Sequence, residues 1–327
     1  MRASMIVGTG SYVPQEVITN GDLEKMVDTS DEWIVTRTGI SERRKASPEM
    51  TTSELAVPAS LQALEAAGVS ADELDLIIVA TITPDTYCPS AACWLQNRIG
   101  ANRAFAFDVN AACSGFIYGL TVADQFIRTG SAERVLFVGA EIMTRVINWE
   151  DRSTCILWGD GAGAVVMGPA EDGRGILSNH LHSDGRNGEA LVMAGGGSRV
   201  TPIRRETVDR DLHTLKMNGP DSFKIAVRSF TEVCNEALNH NGLTAETIDL
   251  FVPHQANIRI IDAVAKRLTI PSEKILVTIH KYGNTSSASI PIALDEAVRE
   301  GRVRPGDKLL LAAFGGGLTW GATTLIW

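Results

Sequence analysis

The sequence predicts an α/β fold built from two copies of one βα unit, and three observations carry that expectation. GVSADELDLIIV, beginning at Gly68, is echoed by GLTAETIDLFVP, beginning at Gly242, an offset of 174 residues. The same offset sets Asn110 of NAACSG against Asn284 of NTSSAS, and Glu133 of ERVLFVGAE against Asp307 of GDKLLLAAF. Within each copy a helical stretch, a glycine, a short apolar strand, a second helix and a second strand follow in order, the alternation of βα units. Residues 1–170 and 171–327 are taken as the two halves.

In the first half, TTSELAVPASLQALEAAG opens with Thr51 and Glu54 at capping-box spacing. Leu55, Leu61 and Leu64 mark the helix that follows, with Pro58 expected to bend it. LDLIIVATI reads as a buried strand, FAFDVNA as another. CSGFIYGLTVADQFIRTG reads as a helix with Phe116, Leu120, Ala123 and Ile127 on one face and Gly130 as its stop. The half ends in two strands, ERVLFVGAE and STCILWGDGAGAVVM. GDKLLLAAFGGG and LTWGATTLIW repeat that pair in the second half, with Trp158 and Trp320 at an offset of 162, as a loop of different length would give. Two mixed, mostly parallel sheets with crossover helices are expected. Residues 185–218 show no periodicity and read as a surface or tunnel cover.

Composition narrows the function classes. The chain has 327 residues, 44% hydrophobic and 21% charged, enough for two core-bearing units. Its net charge of -9 opposes a nucleic-acid backbone. The first ten residues hold no long apolar core or cleavage-type site, and no apolar run approaches the ~20 residues of a membrane span. A cytoplasmic protein with neither membrane nor nucleic-acid partner is expected. Cys88, Cys93, Cys113, Cys155 and Cys234 form no CxxC pair, so they read as reduced thiols, with no disulfide framework and no metal.

Cys113 sits where a strand turns into a helix, and helix N-terminal N–H groups favour a thiolate. Small neighbours, Ala111, Ala112, Ser114 and Gly115, leave room for a bulky thioester. A buried apolar cysteine is the equal alternative on pattern alone. His254, in DLFVPHQANIRI, follows a strand and precedes a helix, the strand end where active sites collect. The repeat brings His254 and Asn284 opposite Cys113. The three glycines of LAAFGGGLTWG make either a tight hairpin or a set of backbone donors for an oxyanion. GDGAGA at Gly159 lacks the spacing and acidic residue of a dinucleotide fingerprint, so no nucleotide cofactor is expected there. After His254, Arg259 and Lys266 share a helix face beside Arg267, with Lys224 extending the basic surface. Such a face is either solvated or a dock for an acidic protein.

Taken together, NGDLEKMVDTSDEWIVTRTGI, AFDVNAACSGF, WGDGAGA, VPHQANIRII, HKYGNTSSAS and AFGGGLTWG resemble the beta-ketoacyl-acyl-carrier-protein synthase III family from end to end. The resemblance implies a thiolase-like fold of five αβαβα layers and a triad of Cys113, His254 and Asn284. It also implies an oxyanion hole from the N–H groups of Cys113 and Gly316. Elongating synthases carry a second histidine where Asn284 stands, and thiolases a second cysteine. The implied reaction is decarboxylative Claisen condensation of an acyl-CoA primer, acetyl-CoA, with malonyl-acyl-carrier protein, through an acyl-cysteine, initiating type II fatty acid synthesis. The CoA thioester is substrate, so no cofactor is implied. By the same carry-over, Trp33, Arg37 and Arg152 hold the adenine end of CoA. Gly219, Phe223, Ala256 and Asn257 line the pantetheine channel, and Phe314 stands near the catalytic groups. Lys224, Arg259, Lys266 and Arg267 receive the acyl carrier protein, and the chain forms a homodimer.

Two positions depart from the family pattern. Trp158 stands where phenylalanine is usual, and Cys88 where a bulky aromatic closes the acyl pocket from the partner subunit. A small Cys88 leaves room for primers longer than acetyl unless Trp158 or Tyr87 refills it. The alternatives are a secondary-metabolism condensing relative, a cysteine thioesterase using Cys113 and His254, and a non-catalytic partner subunit, which would be expected to lack the nucleophile.

Overall fold

The computed structural model describes residues 3–170, 172–200 and 203–327, with the backbone element alone for residues 219–222. The first half opens with β1 (Ser4–Tyr12). A small antiparallel pair, β2 (Glu16–Thr19) and β3 (Glu42–Lys45), encloses α1 (Asn20–Leu23) and α2 (Asp31–Thr38). Then follow α3 (Thr52–Ala67), β4 (Leu76–Ala80), α4 (Ala91–Ile99), β5 (Phe105–Val109), α5 (Gly115–Arg128), β6 (Val135–Ile142), α6 (Arg152–Cys155) and β7 (Asp160–Pro169). The second half runs β8 (Gly175–Ser183), β9 (Leu191–Val192), α7 (Arg205–Asp209), β10 (Lys216–Met217) and α8 (Gly219–His240). It ends with β11 (Leu250–Pro253), α9 (Ile258–Leu268), α10 (Ile279–Tyr282), α11 (Ser289–Arg299), β12 (Lys308–Gly315) and β13 (Thr319–Ile326).

Local sequence explains the boundaries. Thr51 and Glu54 form both bonds of the capping box on α3, and Gly68 ends it at φ 64, a conformation that favours glycine. The helix continues through Pro58. The stretch from Ser153 onward, expected as strand, first forms α6, because the Asp151 carboxylate accepts the Ser153 N–H and caps a helical turn. The strand starts only at Asp160. Residues 185–218 hold the short pair β9 and β10, plus α7.

Strand order repeats between the halves. One sheet runs β1-β7-β6-β4-β5 and the other β8-β13-β12-β11. Ile275 bridges Phe251 in parallel at the place β5 takes beside β4. Among the named strands of the described residues, parallel pairing is confined to β5-β4-β6 and β11-β12. The outer strands are antiparallel: β12 turns directly into β13, whereas β6 reaches β7 through a longer connection that holds α6. The sheets are therefore mixed, with less parallel pairing than expected.

Side-chain alternation builds the layers. Leu76, Ile78 and Ala80 of β4 face inward, while Ile77 and Val79 face α3 and α4. Phe251, Leu310 and Ala322 likewise face α8 and α9. Between the sheets lie α5, burying Phe116, Leu120, Ala123 and Ile127, and α11, burying Ile290, Ala293, Leu294 and Ala297. Five αβαβα layers result, and the central core draws on both halves. No helix among the described residues is long and apolar enough to cross a membrane.

Leu120 is fully buried in that shared layer. Leu120→Ala is expected to cost about 2–5 kcal/mol by transfer loss plus residual cavity. Urea unfolding followed by tryptophan fluorescence and circular dichroism should shift as one coincident transition; loss of one half first would contradict a shared core.

Candidate active site

The turn that carries Cys113 is a short 3-10 segment (Ala112–Ser114) between β5 and α5, entered through Ala112 at φ 47. Its counterpart 174 residues later is Ser286–Ala288, entered through Ser286 at φ 50, between Asn284 and α11. Both turns use the left-handed region, rare for non-glycine residues, to swing from an extended segment into a central helix. His254 directly follows β11, and its N–H donates to the Ala312 carbonyl of β12.

These elements place Cys113, His254 and Asn284 on the wall of one cavity of about 290 Å³, with Phe314, Gly315, Gly316, Leu157, Trp158, Leu191 and Met217. A Cβ on Gly315 would lie 2.7 Å from the Cys113 nitrogen, so β12 reaches the nucleophile only as glycine. Cys113 and Gly316 both stand on the cavity wall, where Gly315 brings the β12 backbone against the nucleophile.

Burial pushes the Cys113 thiol up to about 12, against hydrogen bonds from Ser286, Cys113 N–H and Gly316 N–H that pull it down. The expectation of a thiolate favoured by its helix start is corrected: full desolvation outweighs the helix terminus, and the resting group is a thiol. Burial also lowers His254 to about 3, so its imidazole is neutral. Nδ1 lies 2.6 Å from Ser289 Oγ, which already accepts the Gln255 N–H at 3.3 Å. Among the described residues Ser289 Oγ has no other acceptor, so its proton goes to Nδ1 and the imidazole proton sits on Nε2. Nε2 is buried without a partner. Asn284 Oδ1 accepts the Ser286 N–H at 2.9 Å, which leaves its amide N–H groups for the cavity. Two neutral donors therefore face the space beside the sulfur.

Asn284 is held by backbone pairing to 157–159: its N–H donates to Leu157 and its carbonyl accepts from Gly159. Fully buried Arg43 braces the same strip, donating to Ile156 O at 2.7 Å, Asn20 Oδ1 at 2.8 Å and Ile18 O at 3.2 Å. Burial lowers Arg43 to about 10, still a cation at neutral pH. Sequence reasoning missed Arg43, Ser289, Ser286 and the buried Glu141; only Glu141 left a readable signal, a lone charge in the apolar run VLFVGAEI, whereas Arg43 is hidden in the charged run ERRK.

At the outer end, the guanidinium groups of Arg37 and Arg152 lie 5.2 and 5.0 Å from the Trp33 ring. Trp33, Arg37, Phe223, Ala256, Asn257 and Arg259 join the cavity lining. Asn257 donates to Arg37 O and caps α9. Gly219 begins α8, its surroundings lying outside the described residues. Lys224, Lys266 and Arg267 are exposed with Arg259, whose guanidinium lies 5.8 Å from the Phe223 ring. Trp158 is buried in the wall, whereas Cys88 is exposed on the loop between β4 and α4 and does not line the cavity. No group of three or more metal-ligating side chains occurs among the described residues.

A buried cysteine sharing one cavity wall with a buried histidine and asparagine, in a thiolase-type layered fold, defines a cysteine-dependent acyl-transferring condensing enzyme. Residues 107–185 match 3-Oxoacyl-[acyl-carrier-protein (ACP)] synthase III, and residues 238–327 match its C-terminal counterpart. The chain is 54% identical to the beta-ketoacyl-[acyl-carrier-protein] synthase III of Caldanaerobacter subterraneus subsp. tengcongensis, over 99% of this chain and 98% of that one. It superposes on the crystal structure of the Aquifex aeolicus 3-oxoacyl-[acyl-carrier-protein] synthase III with TM-score 0.93 and 51% identity, covering 99% and 100% of the two chains. The priming beta-ketosynthase of the R1128 polyketide pathway gives TM-score 0.92 at 38% identity, covering 99% and 96%. The chain belongs to the beta-ketoacyl-[acyl-carrier-protein] synthase III family.

A thiol pushed up to about 12 is protonated at neutral pH and gains thiolate as pH rises. Alkylation of Cys113 by iodoacetamide should accelerate about tenfold per pH unit from 7 to 10. A plateau near the ordinary thiol range, read by mass spectrometry of the Cys113 peptide, would contradict the buried-thiol state.

Proposed function

We propose that this chain condenses an acyl-CoA primer with malonyl-acyl-carrier protein, releasing carbon dioxide and CoA and initiating fatty acid synthesis. The observation that carries the reading is the meeting of Cys113, His254 and Asn284 on one cavity wall with the backbone of Gly315 and Gly316. Cys113 sulfur attacks the primer carbonyl, the oxyanion takes the N–H groups of Cys113 and Gly316, and CoA departs. Malonyl-acyl-carrier protein then fills the vacated channel. Loss of carbon dioxide leaves an enolate whose oxygen accepts from His254 Nε2–H and the Asn284 amide. Its carbon attacks the acyl-cysteine and expels Cys113. Neutral donors suit this step, since they stabilise charge that appears only as the carboxylate leaves.

Trp33, with Arg37 and Arg152 stacked against it, offers an aromatic face and two cations to the nucleotide end of CoA. Exposed Lys224, Arg259, Lys266 and Arg267 offer an acidic carrier protein a complementary face on a chain of net -9. The free edge of β5, with exposed Phe105 and, nearby, Tyr87 and Trp94, supports pairing of two copies into a homodimer. A cytoplasmic setting and no resident cofactor fit a reaction whose carriers are its substrates. The likeness to a polyketide priming synthase favours one second reading, a secondary-metabolism condensing enzyme with a different primer.

Incubation with acetyl-CoA should add an acetyl group to the Cys113 peptide, detected by mass spectrometry. Cys113→Ala should abolish it, and an unlabelled Cys113 in the unaltered protein overturns the mechanism. Because Trp158 is buried in the cavity wall, kcat/KM should fall from acetyl-CoA to butyryl-CoA and beyond. A maximum at longer or branched primers favours the second reading. Trp33→Ala should raise KM for acyl-CoA about tenfold, the loss of one or two stacked cation contacts, with kcat little changed.

A further inference from the structure

We propose that Arg43 is a positioning residue for decarboxylation: its buried guanidinium fixes the backbone that aims Asn284 and ties that backbone to the helix carrying Trp33 and Arg37. The inference rests on the condensing mechanism above, in which the Asn284 amide serves the enolate and not the attack of Cys113 on the primer.

Arg43 is the second residue of β3, and none of its surface reaches solvent. Among the described residues it forms no ion pair, so a full cation is desolvated without a counter-charge. Burying a charge is costly, and a well-packed apolar side chain of similar size often stabilises such a place at least as well. Stability alone therefore gives no reason for an arginine here. Geometry does, because a guanidinium is a flat fork whose donors diverge in fixed directions. One tine reaches Ile156 O at 2.7 Å, and the other reaches Asn20 Oδ1 at 2.8 Å and Ile18 O at 3.2 Å.

The first tine holds the Asn284 side. Residues 156–159 lie between α6 and β7 and belong to neither. They pair with Asn284 through Asn284 N to Leu157 O at 2.8 Å and Gly159 N to Asn284 O at 3.1 Å. Arg43 grips this segment one residue before the pairing begins. Its stem also packs against two glycines beside Asn284. A Cβ on Gly159 would lie 3.1 Å from the Arg43 Cβ, and one on Gly283 would lie 3.3 Å from it. Gly283, at φ 64, immediately precedes Asn284. This backbone hold, with the Ser286 N–H on Asn284 Oδ1 at 2.9 Å, sets where the amide points.

The second tine holds the outer end. Asn20 is buried, and its Nδ2 donates to Asp31 Oδ1 and to Ile40 O, both at 2.8 Å. Asp31 opens α2, which carries Trp33 and Arg37. At its other end α2 is fastened to α9. Asn257 donates to Arg37 O at 3.1 Å, and a Cβ on Gly39 would lie 2.6 Å from the Ile258 Cβ. A single side chain thus spans the platform for the CoA nucleotide and the donor for the enolate.

The test separates the two half-reactions in Arg43→Met and Arg43→Lys. Acylation of Cys113 by acetyl-CoA, followed by mass spectrometry, should be little changed. Condensation of enzyme acylated in advance with malonyl-acyl-carrier protein, followed by carbon dioxide release, should lose about 100-fold in kcat in Arg43→Met, the scale of an ~1 Å misplacement of a reacting group. KM for malonyl-acyl-carrier protein should hold. Arg43→Lys keeps the charge but not the fork, so it should restore the melting temperature more than the rate, and it carries the same comparison if Arg43→Met does not fold. Asn20→Ala, which removes one acceptor, should slow the same step by less. In an Asn284→Ala background Arg43→Met should cost less than about threefold more, because the group it positions is already gone. A merely structural arginine would slow both half-reactions alike or add its full loss to that of Asn284→Ala, and either result overturns the proposal. Full condensation by Arg43→Met overturns it too. Absence of Cys113 acylation in the unaltered protein overturns the condensing reading instead.

Discussion

The N-terminal turns of α5 and α11 press against one another at the centre of the molecule, and the positions of the reactive groups follow from that contact. A Cβ on Gly115 would lie 3.2 Å from the Ser287 Cβ, and one on Gly139 only 2.4 Å from the Ser287 carbonyl. Backbones this close demand small residues, and the sequence supplies glycine, alanine and serine on both sides. Once the turns abut, Cys113 emerges on one side of the contact and Asn284 on the other. The Ser289 hydroxyl at the start of α11 reaches back to orient His254. The shared helical layer gives the contact its rigidity, since each turn continues into a helix packed against both sheets.

Burial then sets which protonation state each group holds. Cys113, His254, Glu141 and Arg43 all lie in the low-dielectric interior, and each is pushed toward its neutral form. Arg43 starts far enough from neutrality to stay charged, and carbonyl oxygens and Asn20 hold it. The inner pocket is thus poised with neutral donors and a neutral nucleophile. Its exposed mouth carries the cations. Charge enters with the substrates rather than being stored at the reacting centre, which suits chemistry that creates and discharges an oxyanion twice.

Much of this arrangement was legible in the sequence because the fold is a repeat. The 174-residue offset aligned Asn110 with Asn284, and with them the turns at Ala112 and Ser286. The apolar face of α5 and the capping box of α3 were readable from spacing alone. The protonation of Cys113 was not, because a helix start is a local feature and desolvation depends on everything packed around it. Asp151 capping α6 inside an apparent strand was hidden by apolar neighbours. Cys88, placed by the resemblance where a partner subunit's pocket would close, is exposed on its own chain.

The wide separation of Cys113 from Gly316 along the chain has a consequence during translation. Roughly 200 residues are added between them, on the order of 10–40 s at ordinary elongation rates. Throughout that interval the emerging cysteine lacks the β12 glycines, the imidazole of His254 and the wall that shapes the cavity. A nascent chain therefore presents Cys113 outside the pocket that will bury it, and the nucleophile is desolvated only once the ribosome has delivered the closing strands.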